Sequence, residues 1–256
     1  MNTNFFTDFL SLRVTKIVAV AGVLCSSCAF GQTIFSDNFQ GYTDDASLLA
    51  TWSRVTGTST TMFLAPDPLD PANQTIQQTT AAGRLRHVIP GIIPTDASPL
   101  SFSFDFFDSN GGTANGRIYG EFRNSAGASG LLAAGVYNSV NIGTLDITRY
   151  QARSVDGGGW IQLSTPRSVG WHNFRFEIFG TSVNLFVDNV LEPDFTGRAN
   201  SANIAYDWAH LGSGLTGNTL GYFDNVNVSI IPEPSALALG LLGSGAFLVR
   251  KLRRRL

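Results

Sequence analysis

From residue 100 to residue 107 apolar and polar positions alternate, with Leu100, Phe102, Phe104 and Phe106 on one side and Ser101, Ser103 and Asp105 on the other. A period of two is the pattern of a strand with one buried face. The alternation halts at Asp108-Ser-Asn-Gly-Gly112, which has turn composition, and resumes from Arg117 to Arg123. The stretch His172–Val190 reads as a hairpin. Phe174, Phe176 and Ile178 alternate on its first strand, and Val183, Leu185 and Val187 on its second. A two-residue type II′ turn at Gly180-Thr181 would pair Ile178 with Val183, Phe176 with Leu185 and Phe174 with Val187. All six apolar side chains then share one face. Glu177 opposite Asn184, Arg175 opposite Phe186 and Asn173 opposite Asp188 occupy the other. A one-residue slip would oppose apolar to polar groups, so the pattern fixes the register.

Further strands are predicted at Leu145–Gln151, Trp160–Leu163, Ala202–Tyr206 and Tyr222–Ile230, with Gly, Asn, Asp and Ser between them. Six prolines from Pro66 to Pro99 predict long surface loops around one or two strands. No helical stripe is visible between residues 32 and 231. Many short strands separated by turn signals favour an all-β fold: one antiparallel sandwich, a jelly roll, over a parallel α/β arrangement.

The two ends have a different pattern. Arg13 and Lys16 precede an apolar run from Ile17 to Leu24, which becomes small and slightly polar toward Gly31. That order is the shape of a secretory leader, residues 1–31, with Ala29 at the minus-three position of a cut before Gln32. At the other end, residues 232–256, Pro232-Glu233-Pro234 leads into an apolar stretch rich in small residues. A transmembrane helix is expected at about 235–250, closed by Arg250, Lys251, Arg253, Arg254 and Arg255. Fifteen residues separate Pro234 from Arg250; this gives about 22 Å of helix against a hydrocarbon core of about 30 Å. Snorkelling arginines and local thinning make this a marginal span. A buried terminal helix with a charged end remains the alternative. If the segment spans, the basic cluster stays cytoplasmic and the passenger, residues 32–231, lies outside.

Charge and cysteine usage sharpen the division. Both cysteines, Cys25 and Cys28, lie in the expected leader, leaving the passenger without a disulfide, thiol nucleophile or thiolate ligand. The passenger holds ten arginines, no lysine and 17 acidic residues, a formal charge of 10 − 17 = −7. That balance excludes a nucleic-acid partner dependent on a basic surface. The 19 phenylalanines of the chain argue against disorder.

Pro-Glu-Pro-Ser, an apolar helix rich in Leu, Gly and Ala, and a terminal arginine cluster resemble the PEP-CTERM sorting signal of exopolysaccharide-producing bacteria with a Gram-negative envelope. The resemblance implies recognition at the inner membrane by an exosortase-type membrane protease and delivery to the surface or extracellular matrix. It covers only the tail. The hairpin from Trp171 to Asp188, with Phe35-Ser-Asp37-Asn-Phe39 and Gly221-Tyr-Phe-Asp224-Asn-Val226, is similar to strands of laminin-G-like, or concanavalin-A-like, jelly rolls.

Catalytic signatures are sparse. His87, His172 and His210 stand apart in sequence, and no His-Glu-x-x-His, Gly-x-Ser-x-Gly or Glu-x-Asp-x-Glu run occurs. Asp105 and Asp108, three apart, point to opposite faces of a regular strand. Four tryptophans, Trp52, Trp160, Trp171 and Trp208, are either core residues or stacking surfaces for sugar rings. Trp208, in a stretch that reads as loop, is the candidate glycan contact. The resemblance also allows a structural calcium that would bring Asp37 near Asp224, although two carboxylates supply only part of a calcium shell. The chain therefore reads as a non-catalytic exported protein, structural or adhesive, with weak binding of exopolysaccharide. A glycoside hydrolase or lyase, whose carboxylates meet only in the fold, is the alternative.

Overall fold

The computed structural model describes residues 31–127, 129–137, 145–217 and 219–231. Its elements in chain order are β1 (Gln32–Asp37), a helix α1 (Asp45–Thr51), β2 (Ser53–Thr56), β3 (Met62–Pro66), β4 (Gln74–Gln78) and β5 (Arg84–Ile92). There follow β6 (Leu100–Asp108), β7 (Arg117–Arg123), β8 (Leu131–Tyr137), β9 (Arg149–Ser154), β10 (Gly159–Pro166) and β11 (Gly170–Ile178). The last are β12 (Ser182–Val187), β13 (Val190–Leu191), a 3-10 turn at Pro193–Phe195, β14 (Arg198–Ala199), β15 (Tyr206–Leu211) and β16 (Gly221–Ile230).

These strands form two antiparallel sheets. One, of nine strands among the described residues, runs β13-β12-β11-β6-β16-β4-β3, with β1 on β16 and β14 on β12. The other, of seven, runs β10-β9-β8-β7-β15-β5-β2. The sheets enclose one phenylalanine-rich core. Phe102, Phe104 and Phe106 of β6 are fully buried, and Phe174 of β11 stacks on Phe104 at 5.6 Å. Phe102 also stacks on Phe122 of β7 at 4.7 Å, joining the two sheets face to face. Each such ring contributes about 1.5–3 kcal/mol by leaving water. Gly120 of β7 is the notch that admits the Phe104 ring, which lies 2.5 Å from where a Cβ would stand. The residues on either side of Gly120, Tyr119 and Glu121, consequently project from the outer face of the seven-stranded sheet.

The hairpin has its expected register, Ile178↔Val183, Phe176↔Leu185 and Phe174↔Val187, with Glu177 opposite Asn184 and Arg175 opposite Phe186. Its turn differs from the expected type. Gly180 is not among the glycines with positive φ that a type II′ turn requires, and its N–H donates to Asp96 at 3.1 Å. The proline-rich stretch carries β4 and β5. Two expected strands shift: Leu145–Gln151 becomes β9 at Arg149–Ser154, and Ala202–Tyr206 becomes β15 at Tyr206–Leu211. The α1 helix is an addition to the expected picture. Asp44 caps it in a reciprocal box with Ser47, yet only Leu48 of its residues is buried.

Among the described residues no helix is long and apolar enough to cross a membrane. The expected leader up to residue 30, the tail helix at about 235–250 and the sorting-signal residues Pro232, Glu233, Pro234, Arg250, Lys251, Arg253, Arg254 and Arg255 lie outside the described residues.

Candidate functional site

On the outer face of the seven-stranded sheet, strand register brings distant residues into continuous rows. One row crosses all seven strands: Ser53 of β2 opposes Arg86 of β5, which opposes His210 of β15 and then Glu121 of β7. The same row continues through Ala133 of β8 and Arg153 of β9 to Trp160 of β10. A neighbouring row places Trp208 between Val88 and Arg123. On the other side, Tyr119 opposes Gly135, which opposes Gln151.

Glu121 and His210 form the centre. Their side chains are each 4 % exposed, and His210 Nδ1 lies 2.8 Å from Glu121 Oε1. Arg123 and Arg84 approach the same oxygen at 3.5 and 3.8 Å. Burial pushes the Glu121 carboxyl up, but the hydrogen bond from His210 and the charges of Arg84 and Arg123 outweigh it and hold the group below the ordinary carboxylate value. For His210, burial and the two arginines hold the imidazole below its ordinary value against the pull of Glu121. Near neutral pH the pair is thus a carboxylate and a neutral imidazole, with Nδ1–H donating and Nε2 left as an acceptor.

Aromatic groups flank this centre on two sides. Trp208 is half-buried, with the Arg86 guanidinium 4.5 Å and that of Arg123 6.0 Å from its ring centroid. Tyr137 and Trp160 stack at 4.0 Å with their planes 2° apart, and Tyr119 packs edge-on against both. Desolvation, with the neighbouring Glu121 charge, raises the Tyr119 phenol to about 12, so it remains protonated and able to donate.

The four tryptophans divide between two roles. Trp52 is fully buried, and its indole N–H donates to Asp37 at 2.8 Å. Trp171 is half-buried and donates to Asp67 at 3.1 Å. Trp160 and Trp208 belong to the outer face just described. The loop expected around Trp208 is replaced by strand β15, with a register shift between Tyr206 and Trp208 that keeps the indole on the outer face.

The first and last strands, β1 and β16, are neighbours, and Asp37 and Asp224 on them bind different partners. Asp37 pairs across the ladder with Val226 and accepts from Tyr42 and Trp52, whereas Asp224 accepts from Asn73 at 3.0 Å. The described residues contain no group of three or more His, Cys, Asp or Glu placed to hold a metal ion. Asp105 accepts from Asn173 and Asn225, while Asp108 is bound by Arg167, so these two carboxylates serve different structural partners.

His172 makes a different set of contacts. Nδ1 lies 2.8 Å from Asp188, and Nε2 lies 3.0 Å from the Ser168 hydroxyl and 3.1 Å from the Ser168 carbonyl. The connectivity is that of an acyl-transfer triad. The carbonyl, however, competes with the hydroxyl for the same nitrogen, and both belong to a residue only four positions away. The arrangement fits a clamp closing the Ser168–Gly170 bend onto the hairpin.

Sequence periodicity exposes Arg117, Tyr119, Glu121 and Arg123 as one outward set on β7. It carries no signal that Arg86, Arg153, Trp160 and His210 complete the rows, because the strand order that joins them is non-local.

No family model and no curated protein matches the chain. Among solved structures, it is similar to a carbohydrate esterase from a Shiga toxin-encoding bacteriophage, with 12% identity, 78% of this chain and 99% of the other covered, and a TM-score of 0.54. The globular domain of Trypanosoma cruzi calreticulin matches at 12% identity over 88% of this chain and 100% of the other, with a TM-score of 0.53. Domain 4 of an extracellular arabinanase from Geobacillus stearothermophilus, solved with arabinotriose, matches at 12% identity over 78% and 92%, with a TM-score of 0.50. At these identities the likeness establishes the fold: an antiparallel two-sheet jelly-roll sandwich.

Proposed function

We propose that this chain is an exported structural or adhesive protein of the envelope surface or polysaccharide matrix, binding glycan weakly on the outer face of the seven-stranded sheet. The observation that carries this is the row through Glu121 and His210, flanked by Trp208 on one side and the Tyr137–Trp160 stack on the other. Ring faces pack against the apolar faces of sugars, and the guanidinium and carboxylate groups between them bond hydroxyls. An arabinanase domain with the same fold, solved with arabinotriose, supports glycan binding as a use of such a sandwich. Routing rests on the ends of the chain: the leader exports the passenger, and the Pro-Glu-Pro tail with its basic cluster holds it in the inner membrane for an exosortase.

The rows carry one carboxylate, Glu121, already engaged by His210 and two arginines. Glycoside hydrolysis by paired carboxylates uses two such groups about 5–10 Å apart, so this face suits binding, and the hydrolase alternative would fall to Asp105 and Asp224, cross-strand partners on the other sheet. Affinity electrophoresis of the full chain through gels containing a panel of soluble polysaccharides tests the proposal. Retardation by at least one polysaccharide, reduced in Trp208→Ala, is expected. No retardation in any gel, or retardation indifferent to Trp208, rules it out. Release of reducing ends or unsaturated sugars from the same panel would favour the enzymatic alternative.

A further inference from the structure

We infer that the glycan held on this face is anionic, its sugars carrying carboxylate or sulfate groups, with Arg86 and Arg153 as the groups that hold the anions. This deepens the proposed glycan-binding function and rests on it. The passenger has a formal charge of −7, yet five of its ten arginines, Arg84, Arg86, Arg117, Arg123 and Arg153, lie on this one sheet face. Within the three rows the opposing charge is Glu121 alone. Counting these five arginines against Glu121, with His210 neutral, the balance of the groups named is 5 − 1 = +4.

The arginines are not equivalent. Arg84 and Arg123 attend Glu121, and Arg84 also donates to the backbone carbonyls of Gly212 and Ser213. Arg86 and Arg153 form no hydrogen bond and no ion pair among the described residues, and the Nε of each is buried without a partner. Arg86 rests on the Trp208 ring, so its orientation is set by stacking. The outer guanidinium nitrogens of both side chains, which are not among the buried atoms, have no partner within the described residues and are open to an acceptor from outside the chain, and a planar oxyanion is the group whose geometry they match. A neutral sugar offers hydroxyls that both donate and accept. It leaves the surplus of donors on this face, and its positive potential, without a counterpart.

Both arginines belong to the row through Glu121, with β15, β7 and β8 lying between their strands. Four inter-strand steps of about 4.8 Å separate their backbones by about 19 Å. That distance suits a chain of several sugars bearing charge at intervals and exceeds what one isolated anion can bridge. Trp208 beside Arg86 and Trp160 beside Arg153 then give each anion position its own ring platform.

Affinity electrophoresis of the full chain in gels containing polygalacturonate, dextran sulfate or neutral dextran tests this inference. Retardation is expected in polygalacturonate, in dextran sulfate or in both, weakening as salt is raised, and not in dextran; the first two gels separate carboxylate from sulfate. Arg86→Gln and Arg153→Gln should each raise the apparent dissociation constant about tenfold, the loss of one charge-assisted contact. Thermal melts confirm that the variants remain folded. Arg175→Gln, at a guanidinium engaged with Glu177 and stacked on Phe186, is the control and should not change retardation. Retardation in dextran equal to that in the charged gels would overturn the anionic assignment while leaving glycan binding intact. Equal losses in all three variants would overturn it as non-specific charge attraction, and no retardation in any gel would remove the glycan-binding function itself.

Discussion

Arg167 is the side chain whose removal should damage this sandwich most for its size. Its side chain is 0 % exposed and that of its partner Asp108 is 1 % exposed. Nε and Nη2 hold the two carboxylate oxygens at 2.7 and 3.0 Å, and Nη1 donates to the Ala114 and Ile147 carbonyls at 3.1 and 3.0 Å. One guanidinium thus ties the end of β6 to the loops before β7 and β9. Arg167→Met preserves much of the volume but leaves a buried carboxylate without its counter-charge. The Asn110 and Gly111 N–H groups, at 2.9 and 3.0 Å, continue to hold that carboxylate and moderate the damage. The expected cost is about 3–5 kcal/mol, the usual result of removing one member of a buried pair. For a domain of this size that lowers Tm by about 6–20 °C. Adding Asp108→Asn removes the stranded charge, so the double variant should be less destabilised than the sum of the single changes by about 1–3 kcal/mol. Urea melts of the four proteins measure both quantities. A loss below about 1 kcal/mol for Arg167→Met, or strict additivity in the cycle, would show that water reaches the pair and that the burial argument is wrong.

Three further outcomes follow from the geometry. Phe176→Ala, at a ring packed against Phe102 and Phe195, should cost about 3–5 kcal/mol in a urea melt; Asn184→Ala loses one bond, from the Gly197 N–H at 2.9 Å, and should cost about 1 kcal/mol. Equal losses in the two would contradict the assignment of hairpin faces. Acid should weaken the fold from two linked groups. Because the folded values of His210 and Glu121 both lie below their unfolded ones, stability falls as pH drops below about 6.5 and again below about 4.5. Asp224, raised to about 6 mainly by burial, acts in the opposite sense: its contribution is full below about 3.8 and is lost as pH rises through about 6. Melting temperature should therefore rise with pH less steeply below pH 4.5 in Glu121→Gln and more steeply between about pH 3.8 and 6 in Asp224→Asn; parallel profiles for variants and parent would refute the linkage. For the tail, Glu233→Ala should preserve membrane insertion but reduce C-terminal processing in a host with the matching exosortase. Mass mapping that finds the same shortened chain with and without the protease would identify nonspecific clipping.

How much of this was legible in the sequence depended on whether the period of two survived. In β6 and in the hairpin it runs unbroken, and the core faces and register are as the alternation dictates. In β15 the inward residues are Tyr206, Ala209 and Leu211, all fully buried, so the spacing is three and then two. The register shift between Tyr206 and Trp208 causes that change of parity, and a strict period of two reads the segment as loop. The alternation thus places Trp208 at the surface in a loop, where the structure has strand β15. Trp208 reaches the outer face because the bulge resets which side of the strand the following residues take. The α1 helix leaves no stripe in the sequence because its seven residues bury one leucine.

The site raises a different difficulty, which no improvement in local pattern reading removes. Glu121 and His210 are 89 positions apart, and Arg86 and Arg153 come from two further strands. Alternation names the outward residues of each strand but cannot order the strands, and an antiparallel sandwich permutes them so that β7 lies between β8 and β15. Even so, charge left a trace. The passenger carries ten arginines and no lysine, with a strand at Arg84–Ile92 that opens Arg-Leu-Arg and another at Arg117–Arg123 that begins and ends in arginine. Outward arginines on alternating positions, in a passenger that carries 17 acidic groups, are expected to draw those acids into intramolecular pairs. The structure pairs only some of them. Arg167, buried beneath the surface, takes Asp108, whereas Arg86 and Arg153, half-buried on the outer sheet face, take none among the described residues. The informative signal was the presence of arginines on a strand face without acidic residues at matching positions, and it becomes readable only once register assigns each strand its neighbours.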